Sequence, residues 1–391
     1  MIDHLILHIG IYKTGTTSLQ SIFGRNRKIL LDNGIYYPDY GFNDHLTLAG
    51  SVMRKSWGWI DRGETSYSPS YWNDFVAGLK KREGTVIVSS EFFCQADDKQ
   101  VAKIKDSLPN CKIAIVVGLR PLNELLWSTY QQFIKFGRRY SVDTWIHSVF
   151  DDFDNGNFNS GFWLRNHQEN LIDRWGKAFG FDSLEVVVSD PTKPSLVLDL
   201  IMRLADAPQV KLEVESEHVL KNRSMTVIET EAIRRINVSL HEKVNWPEYR
   251  QTIRRGAIER IVELRLPSGD EMRSAIPAWA TLRAVEIQNS WVSKFSSSDI
   301  KVTPDWNRLR VDSPAIDSGA TNLDFVPMDL VENIAVGIVS GVTSGSYDFK
   351  DQEKKYYLNA RAMKFPVLIR YVLSRMGETI SRLVRRMRGK L

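Results

Sequence analysis

Between residues 7 and 20 the chain reads Leu7-His8-Ile9-Gly10-Ile11-Tyr12-Lys13-Thr14-Gly15-Thr16-Thr17-Ser18-Leu19-Gln20. An apolar run passes through a Gly/Thr-rich loop holding one lysine and enters an amphipathic stretch. A strand feeding a helix through such a loop aims backbone N–H groups and the positive end of the helix dipole at one point, which suits a bound phosphate. The spacing nearly gives the nucleotide-triphosphatase loop G-x-x-x-x-G-K-[ST], because Gly10 and Gly15 are correctly separated, but Thr16 stands where that loop carries its lysine. The basic residue is instead Lys13, inside the loop, placed to approach a phosphate and a bridging oxygen from the side. A generic strand–loop–helix turn would leave the same pattern.

A second apolar run, Ile113 to Leu119, ends in Arg120-Pro121 and continues into Leu122 to Ser128. Seven residues, about two helical turns, separate Pro121 from Ser128, so Ser128 faces the side on which the helix begins. Arg120 and Ser128 are thereby expected to converge on one anion, and the planar donor fork of an arginine grips phosphate oxygens in pairs. An arginine that only caps a sheet edge is the plain alternative.

The first motif resembles the 5′-phosphosulfate loop of sulfotransferases that use 3′-phosphoadenosine 5′-phosphosulfate (PAPS), which has the form Lys-[Ser/Thr]-Gly-Thr-Thr. More narrowly it is similar to bacterial members that read Lys-Thr-Gly-Thr-Thr-Ser-Leu-Gln, continue with Asn-Arg, and then show Gly-Ile/Val-x-Tyr-Pro; here stand Asn26-Arg27 and Gly34-Ile35-Tyr36-Tyr37-Pro38. The resemblance implies that Lys13, Thr14, Gly15, Thr16 and Thr17 cradle the donor's phosphosulfate. It also implies that Arg120 and Ser128 bind its 3′-phosphate, and that Lys13 faces the leaving phosphate with no metal required. It covers chiefly residues 4–40 and 85–139, and loosely 184–306.

Sulfuryl transfer needs a group to take the acceptor hydroxyl's proton. Glu91, just past the run Thr85 to Val88, holds the position where the resembled enzymes carry their base; a surface or capping glutamate is the alternative, and His45 is the rival base. Asn222-Arg223-Ser224-Met225 resembles a late segment that touches the donor, although a helix cap at Asn222 or Ser224 explains it as well. The Arg-Lys-Gly loop that wraps the 3′-phosphate in cytosolic animal relatives is missing, which leaves Arg138 and Arg139 as substitutes. The aromatics Trp57, Trp59, Tyr67, Tyr71 and Trp72 suit either a sugar-stacking surface or the core. A carbohydrate or glycolipid hydroxyl is the acceptor the resemblance favours. Two rivals stay open: a nucleotide-dependent phosphotransferase, which Thr16 counts against, and a non-catalytic membrane-surface protein on the same fold.

The elements that must position these residues follow from apolar periodicity. Strands are expected at Leu5–Ile9, Thr85–Val88, Lys112–Val117 and Leu184–Val188. Helices are expected at Thr17–Leu31, Pro121–Phe136, Pro194–Ala205, Thr226–Glu242 and Gln251–Leu264. Their alternation predicts an α/β fold, a P-loop-like parallel sheet of four or five strands flanked by helices, with a C-terminal helical extension. The catalytic domain is placed at 1–306, an irregular connector at 307–358, and a basic amphipathic helical tail at 359–391.

Hydrophobic residues make up 43% and charged residues 25%, as in ordinary globular proteins. Residues 361–391 hold nine Lys and Arg against Glu378 alone, so the other 360 residues carry a net −3 of the total +5, which disfavours nucleic-acid binding by the main body. Two cysteines, Cys94 and Cys111, support neither a disulfide framework nor a four-cysteine zinc site, and no paired-histidine metal spacing occurs. No secretory signal pattern opens the chain. A cytoplasmic location is expected, with peripheral contact at the inner membrane face through residues 359–391, where an apolar stripe is flanked by arginines.

Overall fold

The computed structural model describes residues 2–40, 44–159, 161–214, 223–311 and 325–343. The chain opens with β1 (His4–His8), α1 (Thr16–Arg25), α2 (Arg27–Asp32), β2 (Ile35–Tyr36), α3 (Asp44–Met53), α4 (Ser70–Leu79) and β3 (Thr85–Ser89). A 3₁₀ turn at Glu91–Gln95 leads to α5 (Asp98–Ser107), β4 (Lys112–Leu119), α6 (Leu122–Lys135), α7 (Val142–Asp154), α8 (Trp163–Asn166), α9 (Gln168–Phe179) and β5 (Leu184–Val188). Then come α10 (Leu196–Leu204), α11 (Val227–Leu240), α12 (Trp246–Tyr249), a π-helical segment at Arg250–Ile258, α13 (Glu259–Leu264), α14 (Ala278–Phe295), β6 (Lys301–Thr303) and α15 (Met328–Thr343).

The strands form one sheet in the order β2-β3-β1-β4-β5-β6, and every pairing is parallel. This is the α/β architecture expected, with six strands; the short edge strands β2 and β6 add to the predicted four. Side chains alternate across a strand, so each strand feeds both faces. Leu5, Leu7, Val86, Val88, Ile115, Val117, Val186 and Val188 pack into the larger core on one face. Ile6, Ile87, Val116 and Val187 pack with Leu19 and Phe23 of α1, Leu30 of α2 and Leu200 and Ile201 of α10 on the other. Burial on both faces explains why these strands read as continuous apolar runs.

Two predicted helices are interrupted. The helix expected over Thr17–Leu31 breaks at Asn26, whose buried amide donates to the carbonyls of Ile22 and Glu213 and accepts from the Glu213 N–H; this long-range bond set competes with helix propagation. The stretch Gln251–Leu264 is π-helical up to Ile258 and α-helical after it. Within the expected irregular connector, α15 is a regular helix. Its Gly337 and Gly341 meet the π-helical segment at Gly256 and Gln251, so closely that a Cβ on Gly337 would lie 2.5 Å from the Gly256 carbonyl oxygen. Residues 344–391, including the predicted basic helix, lie outside the described residues. Among the described residues no helix is long and apolar enough to cross a membrane.

Candidate anion-binding active site

Because all six strands run parallel, the residues following them gather along one edge. β3 and β4 flank β1, so the chain reverses its direction of progress across the sheet at β1. Open parallel sheets bind ligands at such a switch point. Lys13 follows β1, Glu91 follows β3 and Arg120 follows β4, which brings all three expected residues to this crevice.

The loop after β1 is zipped to β4. Ile9 donates to the Val116 carbonyl (3.0 Å), Ile11 to the Gly118 carbonyl (2.8 Å), and Gly118 to the Gly10 carbonyl (2.6 Å). Thr14 Oγ1 donates to the Ile11 carbonyl at 2.7 Å. That packing needs glycine at 118, where a Cβ would lie 2.9 Å from Thr14 Oγ1. Lys13 sits at φ 69°, a left-handed conformation that costs a residue with a side chain on the order of 1 kcal/mol. Gly15 (φ 86°) caps α1 without offering a side-chain acceptor, and the first turn holds no acidic residue. The first N–H groups of a helix lack intrahelical partners. Thr16 is buried, and its Oγ1 has no hydrogen-bond partner, whereas Thr17 is exposed. An anion at this helix start would satisfy both the hydroxyl and the N–H groups.

Burial lowers the Lys13 ammonium to a pKa of about 8, and the nearby cations Arg120 and Arg254 push it the same way, while Glu91 opposes them. Burial raises the Glu91 carboxyl above its ordinary range, against the pull of Gln20 and Lys13. Gln20 Nε2 donates to the Ser89 carbonyl (2.8 Å) and stands 3.5 Å from Glu91 Oε2. A Cβ on Gly10 (φ 85°) would lie 2.7 Å from the Glu91 Cβ, so the loop and the 3₁₀ turn touch.

Arg120 Nε donates to Glu124 Oε2 at 2.5 Å, and its Nη1 to the Lys13 carbonyl at 3.4 Å. Ser128 Oγ donates to the carbonyls of Glu124 and Leu125, both at 3.2 Å. The two expected anion ligands therefore meet at Glu124, one at its carboxylate and the other at its carbonyl; Ser128 must turn its proton away from its own helix to serve a phosphate. The turn between β4 and α6 is braced by Gln168, whose amide donates to the Arg120 carbonyl, and by Gln288, which accepts the Leu122 N–H.

His45 is buried with both ring nitrogens engaged: Nδ1 accepts the Ser89 N–H (2.8 Å) and Nε2 donates to the Pro38 carbonyl (3.2 Å). Burial lowers it to about 4. It ties α3 to the end of β3, and neither nitrogen is left for an acceptor in this arrangement. Arg223 is likewise engaged, with a two-point ion pair to Glu229 (2.8 Å for each bond) and a bond to the Ile261 carbonyl. The cap of α11 is Thr226, in a capping box with Glu229, and not Ser224; Asn222 lies outside the described residues.

Two cations here escaped sequence reasoning. Lys135, at the last turn of α6, is lowered to about 7 by burial and by Lys13, Arg254 and Arg223, with Glu229 opposing. Arg254, in the π-helical segment, lies over the rings of Phe136 (4.4 Å) and Trp57 (5.1 Å), and its buried Nη1 has no hydrogen-bond partner. Lys135 falls seven residues after Ser128, a spacing that puts both on one face of α6 and could have revealed it. Arg138 and Arg139 are exposed, and their backbone carbonyls accept from Asn237 and Arg234. Of the aromatics, Trp72 is core, Tyr71 is exposed, and Trp57 and Trp59 pack half-buried against Trp246. Among the described residues no group of three or more His, Cys, Asp or Glu side chains is placed to hold a metal ion.

No family model matches the chain, and no curated protein does. Among solved structures it is similar to a sulfotransferase from Alicyclobacillus acidocaldarius, at 14% identity and a TM-score of 0.38, over 63% of this chain and 98% of that one. A likeness this distant leaves function to be read from the site's own residues.

Proposed function

We propose that the protein is a sulfotransferase that moves a sulfuryl group from PAPS to an acceptor hydroxyl, on a carbohydrate or glycolipid. The observation that carries this reading is the meeting of a half-buried Lys13, with no carboxylate in ion-pairing distance, with Glu91 and Arg120 at the switch point of the sheet. The α1 N-terminus and Thr16 Oγ1 would take the phosphosulfate, and Arg120 with Ser128 the 3′-phosphate. In the transfer, the acceptor oxygen forms a bond to sulfur as the bond from sulfur to the bridging oxygen breaks. The electron pair stays on that oxygen, where the Lys13 charge faces it, and the acceptor proton passes to Glu91. Burial of Glu91 suits this role, because it raises the carboxylate's basicity toward working pH. Thr16, where a nucleotide triphosphatase has its lysine, sets the phosphotransferase apart.

The test compares thermal shifts. PAPS, or its 3′,5′-diphosphate product, at a hundred times its dissociation constant should stabilise the fold by about 2.7 kcal/mol. ATP with magnesium should do far less, because it places no phosphate at Arg120 and Ser128. Equal stabilisation by ATP would transfer the site to phosphoryl chemistry.

A further inference from the structure

The crevice holds more positive charge than its acids offset. Glu124 takes Arg120, and Glu229 is engaged by Arg223 and Arg265. Among the described residues, Lys13, Lys135 and Arg254 have no carboxylate within ion-pairing distance. Half-buried cations with no carboxylate partner are costly, so a site that keeps them suits an anion that arrives later.

The cations extend along α6. Arg120 stands at its start and Lys135 at its end, two turns or about 10 Å beyond Ser128; the Lys13 charge is felt at both ends. With the donor assigned to Lys13, Arg120 and Ser128, the neighbouring pair Lys135 and Arg254, the latter lying over the ring of Phe136 next to Lys135, is left without a ligand of its own. Half-buried Phe136 and Trp57 lie under the Arg254 guanidinium, and the buried Trp246 stacks on Phe136 at an interplanar angle of 3°, so these rings hold the cation in place. A held pair of cations left over beside the donor suits an acceptor that bears its own negative charge.

We propose that Lys135 and Arg254 form an acceptor subsite for an anionic saccharide, binding a carboxylate, sulfate or phosphate on the sugar while its hydroxyl faces Glu91. This rests on the sulfotransferase reading, and binding separates the two. A uronic-acid oligosaccharide, its carboxyl-reduced counterpart and a sulfated neutral oligosaccharide are titrated by calorimetry, without donor, into the full chain and into Lys135→Met and Arg254→Met. PAPS is titrated separately into the same proteins.

The uronic-acid or the sulfated oligosaccharide should bind at least tenfold more tightly than the carboxyl-reduced one, and which of them does so identifies the anion. Each substitution should weaken that binding tenfold or more and leave PAPS affinity unchanged; circular dichroism identifies variants that have lost the fold, and Arg254→Lys then replaces them. Preference for the reduced sugar, or no sugar binding, overturns the subsite. Loss of PAPS affinity in both variants would also overturn it and give the pair to the donor. Charged-sugar binding without any PAPS binding would leave the subsite standing and remove the sulfotransferase reading.

Discussion

Lys13 and Glu91 are two opposite charges whose burial works against both. Each is shifted toward neutrality, Lys13 downward and Glu91 upward, which leaves the ammonium strongly attracted to an arriving anion and the carboxylate more basic than usual. Gln for Glu at position 91 keeps the shape and removes the proton acceptor. Glu91→Gln should therefore bind PAPS with unchanged affinity and transfer about 10²–10⁴-fold more slowly; single-turnover kinetics beside calorimetry checks both halves. His45→Ala should instead lower stability, since the His45 ring bonds join Pro38 to the Ser89 backbone; if His45→Ala retains full stability and loses transfer, the base is His45. Lys13, Glu91 and Arg120 were legible in the sequence because each follows an apolar run that had to be a buried strand. Lys135 and Arg254 were not. A lysine near a helix C-terminus and an arginine in Arg-rich Arg250–Arg255 look like solvated charge until the fold turns them inward.

At the level of elements, the site depends on contacts that close only where no side chain intervenes. The π-helical segment carrying Arg254 lies on α15 through Gly256, Gly337 and Gly341, and Gln251 Nε2 donates to the Gly341 carbonyl at 2.7 Å. α15 is also tied near its start to the end of α13, where Asp329 accepts from the buried Arg265 at 2.8 Å. α15 is thus a support for the side of the crevice that carries Arg254, far in sequence from the phosphate loop. Gly337→Ala would put a Cβ 2.5 Å from the Gly256 carbonyl oxygen, so the helices must part. Overpacking of this kind costs about 1–3 kcal/mol. The expected outcome is a lower melting temperature with weakened charged-acceptor binding and unchanged PAPS affinity; a variant that loses PAPS affinity alone would contradict the support role. The main strands were legible from their β-branched runs. The edge strands β2 and β6 were not, because two or three residues give no periodicity, and the break between α1 and α2 was hidden because Asn26 finds its partner at Glu213, 187 residues away.

For the whole molecule, the concentration of unpaired cations at one sheet edge couples folding to ligand binding through the proton. The composition could not show this, because the net charge of the first 360 residues is slightly negative while the crevice is positive; sign at a site follows topology. Lys13 faces Arg120, Arg254 and Glu91, and it titrates at about 8 in the fold against an ordinary value of 10.5. Between those values the unfolded chain binds more protons than the native one. The stability of the unliganded protein therefore gains from this group as pH rises through that window. Donor affinity must move the other way, since the charge that draws the phosphosulfate disappears above about 8, and the donor is already fully ionised there, its 3′-phosphate having a second pKa near 6. Lys135, lowered to about 7, adds to the stability trend of the unliganded protein from a lower pH without bearing on the donor. Melting temperatures measured from pH 7 to 9.5, with and without PAPS, should show the PAPS increment shrinking while the unliganded protein gains on a Lys13→Met variant, in which the increment is small and flat. A PAPS increment that stays constant across that range in the wild-type protein would mean that Lys13 does not face the donor.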